Sequence, residues 1–75
     1  MKRVLITGVA GGQGSLVARR LVGRVEVIGV DRSPWRGRPH GVPFHRVDLR
    51  KRKFEDLLRT ERPDTIIHLA FVRHF

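Results

Sequence analysis

Cysteine and tyrosine are both absent from the 75 residues, and methionine and tryptophan occur once each. Without cysteine there is no disulfide framework, no thiolate metal site and no thiol nucleophile. That composition fits a reducing compartment, and a cytoplasmic location is expected. Without tyrosine no phenol is present to pass a proton to or from a substrate. No apolar run is long enough to span a membrane, so no membrane partner is expected. Met1-Lys2-Arg3 and the apolar residues that follow superficially resemble a secretory leader. Gly8 breaks the run and a glycine-rich turn follows at once, so a strand explains these residues better.

Acidic residues are also scarce, 7 against 16 basic ones, for a net charge of +9. Thirteen of the basic residues are Arg and three are Lys, and the stretch from Arg32 to Lys53 holds eight of them with one acid, Asp48. Such a stretch attracts polyanions. Trp35 and Phe44 do not alternate with the arginines as an RNA-stacking sheet requires. No helix-turn-helix, zinc-finger or RNA-recognition signature is present, so the basic residues are read as a solvated face and nucleic acid is not the expected partner. The length allows one small domain at most. Chains of this size bury only about 60% of their unfolded surface, which leaves little stability to spare.

What is present is an alternation of short apolar runs and amphipathic segments. Residues 3–7 form an apolar, β-branched run that reads as a buried strand. Residues 12–22 read as a helix with Leu16, Val17 and Leu21 on its buried face and Gly23 as its stop. A second strand covers 25–30, with Gly29 inside it allowing close approach of backbone or ligand. Residues 33–43 carry three prolines and two glycines and read as a loop. A third strand at 44–48 leads to a helix at 51–60, with Phe54, Leu57 and Leu58 on one face, ended before Pro63. A fourth strand covers 65–71. Strands alternating with helices predict an α/β fold with a parallel sheet and right-handed crossovers.

The turn between the first strand and the first helix reads Thr7-Gly8-Val9-Ala10-Gly11-Gly12-Gln13-Gly14. A glycine-rich turn in that position is where a doubly wound domain binds a dinucleotide. Gly8 permits the tight turn, Gly11 lets backbone approach a pyrophosphate, and Gly14 lets the helix pack closely on the sheet. Amides near Gly12 and Gln13 then meet a phosphate at the helix N-terminus. Asp31 lies 17 residues beyond Gly14, near the spacing expected for the acid that binds the adenosine ribose. A carboxylate there repels a 2′-phosphate and favours NAD over NADP. Arg32 pulls the other way, because a guanidinium pairs with a 2′-phosphate or stacks on adenine.

These residues resemble the extended short-chain dehydrogenase/reductase family, in its NAD-dependent epimerase/dehydratase branch. The resemblance rests on the glycine turn, Asp31-Arg32, Asp48-Leu49 and the run Ile66-Ile67-His68-Leu69-Ala70-Phe71, and it spans nearly the whole chain. It implies a Rossmann-like sheet of strand order 3-2-1-4. It implies that Asp48 binds the adenine amino group with Leu49 near the ring, and that Leu69, Ala70 and Phe71 border the nicotinamide ribose. Gly12-Gln13 depart from the family's aromatic and aliphatic pair, and Phe71 replaces a small alanine. The family's catalytic Tyr-x-x-x-Lys has no counterpart here.

The resemblance therefore implies the N-terminal, cofactor-binding part of a longer oxidoreductase, epimerase or dehydratase, whose substrate is a nucleotide sugar or similar small molecule. Residues 1–75 are expected to be catalytically incomplete and prone to self-associate through the bare fourth strand. A nucleotide-sensing module of the same fold, without redox chemistry, is the alternative. Ser15 and Ser33 lack a visible base. His40 and His45 sit in or near the loop without the acids of a metal site, and His68 reads as a buried structural histidine.

Overall fold

In the computed structural model, which describes residues 1–70, four strands and two helices alternate. The order is β1 (Arg3–Thr7), α1 (Gly12–Leu21), β2 (Glu26–Asp31), β3 (Phe44–Arg46), α2 (Arg52–Glu61) and β4 (Thr65–His68). The strands form one parallel sheet of order β3-β2-β1-β4. Central β1 pairs Leu5 with Ile28 of β2 and with Ile66 of β4. β1 and β2 are near-continuous apolar runs because both faces of their strands are covered.

Alternation along β1 divides the core. Val4 and Ile6 join Val9, Ala18, Val27, Trp35 and Val42 on the α1 face. Leu5 joins Ile28, Val30 and Leu57 on the α2 face, with Phe54 and Leu58 packed against them as their spacing predicted. The chain thus winds from β1 to β3 on one face, then returns beneath the other to β4. That reversal beside β1 is the switch point at which open α/β sheets leave a crevice at the carboxyl ends of their strands.

The buried stripe of α1 differs from the expectation. Gly14 and Ala18 are buried and Val17 and Leu21 half-buried, whereas Leu16 is 52% exposed. At roughly 100° per residue, residues 14, 17, 18 and 21 fall in one sector and Leu16 lies on the opposite side. The glycine, not the leucine, sets the packed face. β3 stops at Arg46 instead of residue 48 and β4 at His68 instead of residue 71. Their partners end there: β2 finishes at Asp31, and β1 at Thr7, where Gly8 turns with φ +78°. At the β4 edge, Ile66 is 47% exposed.

The crossover from β2 to β3 has no helix. Trp35 takes that role, lying 7% exposed on the sheet, edge-on to Phe44 with ring centroids 5.8 Å apart, and donating its indole N–H to Ser15 Oγ at 3.3 Å. This accounts for Gly29. A Cβ there would lie 2.6 Å from Trp35 Cζ3, so the space at Gly29 is taken by an indole side chain of the chain itself, not by the backbone or ligand expected there. Gly29→Ala is expected to displace Trp35 and destabilise the fold by about 1–3 kcal/mol, as overpacked cores do. Fluorescence of the single tryptophan followed through a thermal melt checks this; an unshifted melt with unchanged emission would show that the indole is not seated on Gly29.

Candidate functional site

The carboxyl ends of all four strands open into one cleft of about 990 Å³, at the upper end of the ~300–1,000 Å³ typical of small-molecule sites. Gly8, Gly11, Gly12, Gln13 and Gly14 line it from the β1–α1 turn, Asp31 and Arg32 from the end of β2, Asp48 and Leu49 from beyond β3, and Leu69 and Ala70 from beyond β4. Phe71 lies outside the described residues. Val30, Val47, Arg50 and His68 complete the wall.

The glycines differ in what requires them. A Cβ on Gly14 would collide with the Gly8 carbonyl, and one on Gly8 would lie 2.9 Å from the Ala70 nitrogen, so both are fixed by backbone packing. Gly11 has extended geometry, with φ −78° and ψ 165°, and a Cβ there would meet only Gly8 O at an ordinary 3.5 Å. At Gly12 a Cβ would meet nothing within 4 Å. The described fold gives no steric reason for either glycine, and both face the cleft. Helix α1 has no side-chain cap and no acid in its first turn, and its leading amides, in residues that line the cleft, have no acceptor among the described residues. Exposed Gln13 leaves its side chain out of the packing of the first turn.

Asp31 ties the turn to the loop that follows it. One carboxylate oxygen accepts from Ala10 N–H at 3.0 Å and the other from Ser33 N–H at 2.9 Å. Each oxygen keeps one lone pair, so the group has a structural role and still offers two acceptors. Asp48 is paired with Arg50, whose backbone N–H, Nε and guanidinium Nη2 donate at 2.9, 3.2 and 3.0 Å. These hydrogen bonds hold the Asp48 carboxyl down at about 2, below its ordinary 3.8. Arg32 is exposed at the cleft, and its carbonyl accepts a hydrogen bond from Arg46 Nε at 3.0 Å.

Thr7 is the buried polar residue among the core strands. Its hydroxyl accepts from Leu69 N–H at 3.1 Å and Ala70 N–H at 3.3 Å, and it lies 2.9 Å from His68 Nδ1. With both lone pairs engaged, the hydroxyl proton goes to Nδ1, which fixes His68 as the Nε2–H tautomer. His68 is therefore exposed at the cleft and held by Thr7, not the buried histidine its strand position suggested. Sequence reasoning missed Arg50 in the cleft wall and Thr7 as the residue that holds Leu69 and Ala70 there. A polar threonine ending an otherwise apolar run was the one available signal for Thr7. His45 pairs with Glu61 at 3.1 Å, away from the cleft lining. Among the described residues no cluster of three or more His, Cys, Asp or Glu could hold a metal, and no helix is long and apolar enough to cross a membrane.

Thr7→Val keeps the shape and removes the hydroxyl that accepts from Ala70 N–H, while Leu69 N–H keeps its second acceptor, the Thr7 carbonyl at 3.2 Å. It is expected to cost about 1–3 kcal/mol, the usual penalty of a buried group left unpaired, and to speed exchange of the Ala70 amide. Thr7→Ser should restore both. Equal exchange in wild type and Thr7→Val, by amide hydrogen exchange, would remove the hydroxyl from the account.

No curated protein matches the chain in sequence. Among solved structures, the UDP-glucose 4-epimerase of Thermus thermophilus, in complex with NAD, is 40% identical with a TM-score of 0.85, over 93% of this chain and 24% of that one. The Bordetella bronchiseptica enzyme WbmH, in complex with NAD+, is 29% identical with a TM-score of 0.82, over 97% of this chain and 27% of that one. Uronate dehydrogenase from Agrobacterium tumefaciens is 28% identical with a TM-score of 0.75, over 97% and 27%. The chain spans about a quarter of the length of these enzymes. The profile of the NAD dependent epimerase/dehydratase family matches residues 4–75, from the first buried strand onward, and the chain belongs to that family.

Proposed function

We propose that the cleft binds NAD and that the chain is the cofactor-binding portion of an NAD-dependent epimerase/dehydratase-like oxidoreductase acting on a nucleotide sugar or similar small molecule. Substrate-binding and catalytic groups belong, in this reading, to other parts of a longer protein. The observation that carries it is the pair Gly11 and Gly12, bare of side chains without a steric need and set before the unpartnered amides of α1. A diphosphate is the ligand that such a cradle suits, because backbone donors and the helix dipole both favour negative charge there. Two of the similar enzymes are complexes with NAD or NAD+.

The remaining residues take their parts around that diphosphate. The two free acceptor positions of Asp31 suit the two hydroxyls of an adenosine ribose, and its charge disfavours a 2′-phosphate. Asp48 accepts from the adenine amino group, with Leu49 beside the ring. Leu69 and Ala70, pinned by Thr7, border the nicotinamide ribose; Phe71 is assigned to the same end. Bound NAD supplies a nicotinamide that accepts and returns hydride. The residues of this chain bind and orient it, and none is assigned as its acid or base.

Two substitutions test the reading. Gly11→Val places a branched side chain over the diphosphate cradle, at a position whose Cβ makes only an ordinary contact, so NAD binding should be lost while the sheet still folds, with the small loss of stability expected of valine at a helix N-cap. Unaltered NAD affinity by titration calorimetry would reduce the turn to a structural element. Asp31→Asn keeps one acceptor for the backbone and removes the charge. The preference for NAD over NADP should narrow by roughly tenfold, in line with the greater strength of charge-assisted hydrogen bonds. A wild-type preference for NADP would reassign this end of the cleft to Arg32.

A further inference from the structure

Arg50 shapes the Asp48 carboxylate more closely than any other residue does. Residues 48–51 form a tight turn closed by Lys51 N–H donating to Asp48 O at 3.0 Å. Within it Asp48 Oδ1 accepts twice, from Arg50 N–H at 2.9 Å and Arg50 Nε at 3.2 Å, and Oδ2 accepts from Arg50 Nη2 at 3.0 Å. Counting two lone pairs per oxygen, Oδ1 is saturated and Oδ2 retains one. An ionised carboxylate has no proton to donate, and the guanidinium keeps this one ionised down to about pH 2. Both residues line the cleft, with Val47 and Leu49 beside them.

From this we infer that Arg50 is a positioning residue that makes the site selective for a 6-aminopurine dinucleotide over a 6-oxopurine one. The inference rests on the reading of the cleft as an NAD site. An adenine amino group donates to the single free position on Oδ2. A hypoxanthine or guanine base turns a carbonyl toward it, and two acceptors repel. An oxopurine also carries an N1–H, which a freely rotating carboxylate could reach by reorienting. The two-point grip of the guanidinium restrains that rotation. Selectivity therefore comes from the fixed orientation of Asp48 as well as from its charge, and lysine, a point charge without the planar fork, does not substitute.

The test is titration of the protein with NAD and with nicotinamide hypoxanthine dinucleotide, in wild type, Arg50→Lys and Arg50→Met. Wild type should prefer NAD by at least about tenfold, since a site built around a hydrogen bond rejects an analogue lacking the donor. Both variants should bring the ratio to within about threefold, with NAD losing more affinity than the hypoxanthine analogue. A purely structural role would weaken both ligands equally and leave the ratio unchanged; that result, in folded variants that bind NAD, overturns the role of Arg50 alone. A wild-type ratio near one overturns it as well. A wild-type protein that binds neither ligand overturns the cofactor reading, and this inference with it.

Discussion

Three stretches of backbone meet without side chains between them. Gly14, in the first turn of α1, lies against the carbonyl of Gly8, and Gly8 lies against the backbone of Leu69 and Ala70 beyond β4. No side chain fits at either glycine: at Gly14 a Cβ would overlap the Gly8 carbonyl, and Gly8 also has φ +78°. This contact seats the helix N-terminus at the end of the central strand. The open amides of α1, the bare surface of Gly11 and Gly12 and the placement of the β4 end all follow from it.

Polar groups then lock what the glycines allow. The Thr7 hydroxyl gathers Leu69, Ala70 and His68, and the Asp31 carboxylate gathers Ala10 and Ser33. Each joins segments far apart in sequence at the rim of the cleft, and each accepts hydrogen bonds from backbone amides there. Trp35 performs the matching task below the rim, filling the sheet face where the β2–β3 crossover has no helix. Charge is distributed unequally between the two ends of the sheet. Away from the cleft Glu61 bridges Arg3 and His45, and Arg3 also reaches Glu26. Ion pairs there tie elements together. At the carboxyl ends the donors of α1 stay open.

The alternation of strands and helices and the parallel sheet were legible because apolar period and glycine placement are local properties of the chain; the strand order followed from the family resemblance. Of the residues that line the cleft, the glycine turn and Asp31-Arg32 were legible from motif and spacing, whereas Asp48-Leu49 and Leu69-Ala70 entered through the family resemblance. The glycine turn, Asp31-Arg32, Asp48-Leu49 and Leu69-Ala70 each lie at or just beyond a strand end, and a parallel sheet brings all its strand ends to one side. Leu16 was misplaced because hydrophobicity alone does not reveal that close helix–sheet contact selects the smallest residue, Gly14, for the buried face. His68 was misplaced because strand membership does not say whether an edge position is covered.

By itself, then, the sequence determined the winding of the chain and the edge of the sheet at which the glycine turn lies. Periodicity and turn chemistry act over a few residues and need no partner. Only the tertiary structure decided which groups are spent and which remain free. Asp31 gives half its acceptors to backbone, Asp48 gives three of four to Arg50, and the Thr7 hydroxyl gives everything it has. Gly29 yields its space to Trp35, while Gly11 and Gly12 keep theirs. Hydrogen-bonding capacity and empty volume are consumed by neighbours that are remote in sequence or set by a turn's geometry, so what is left over appears only once the chain has folded.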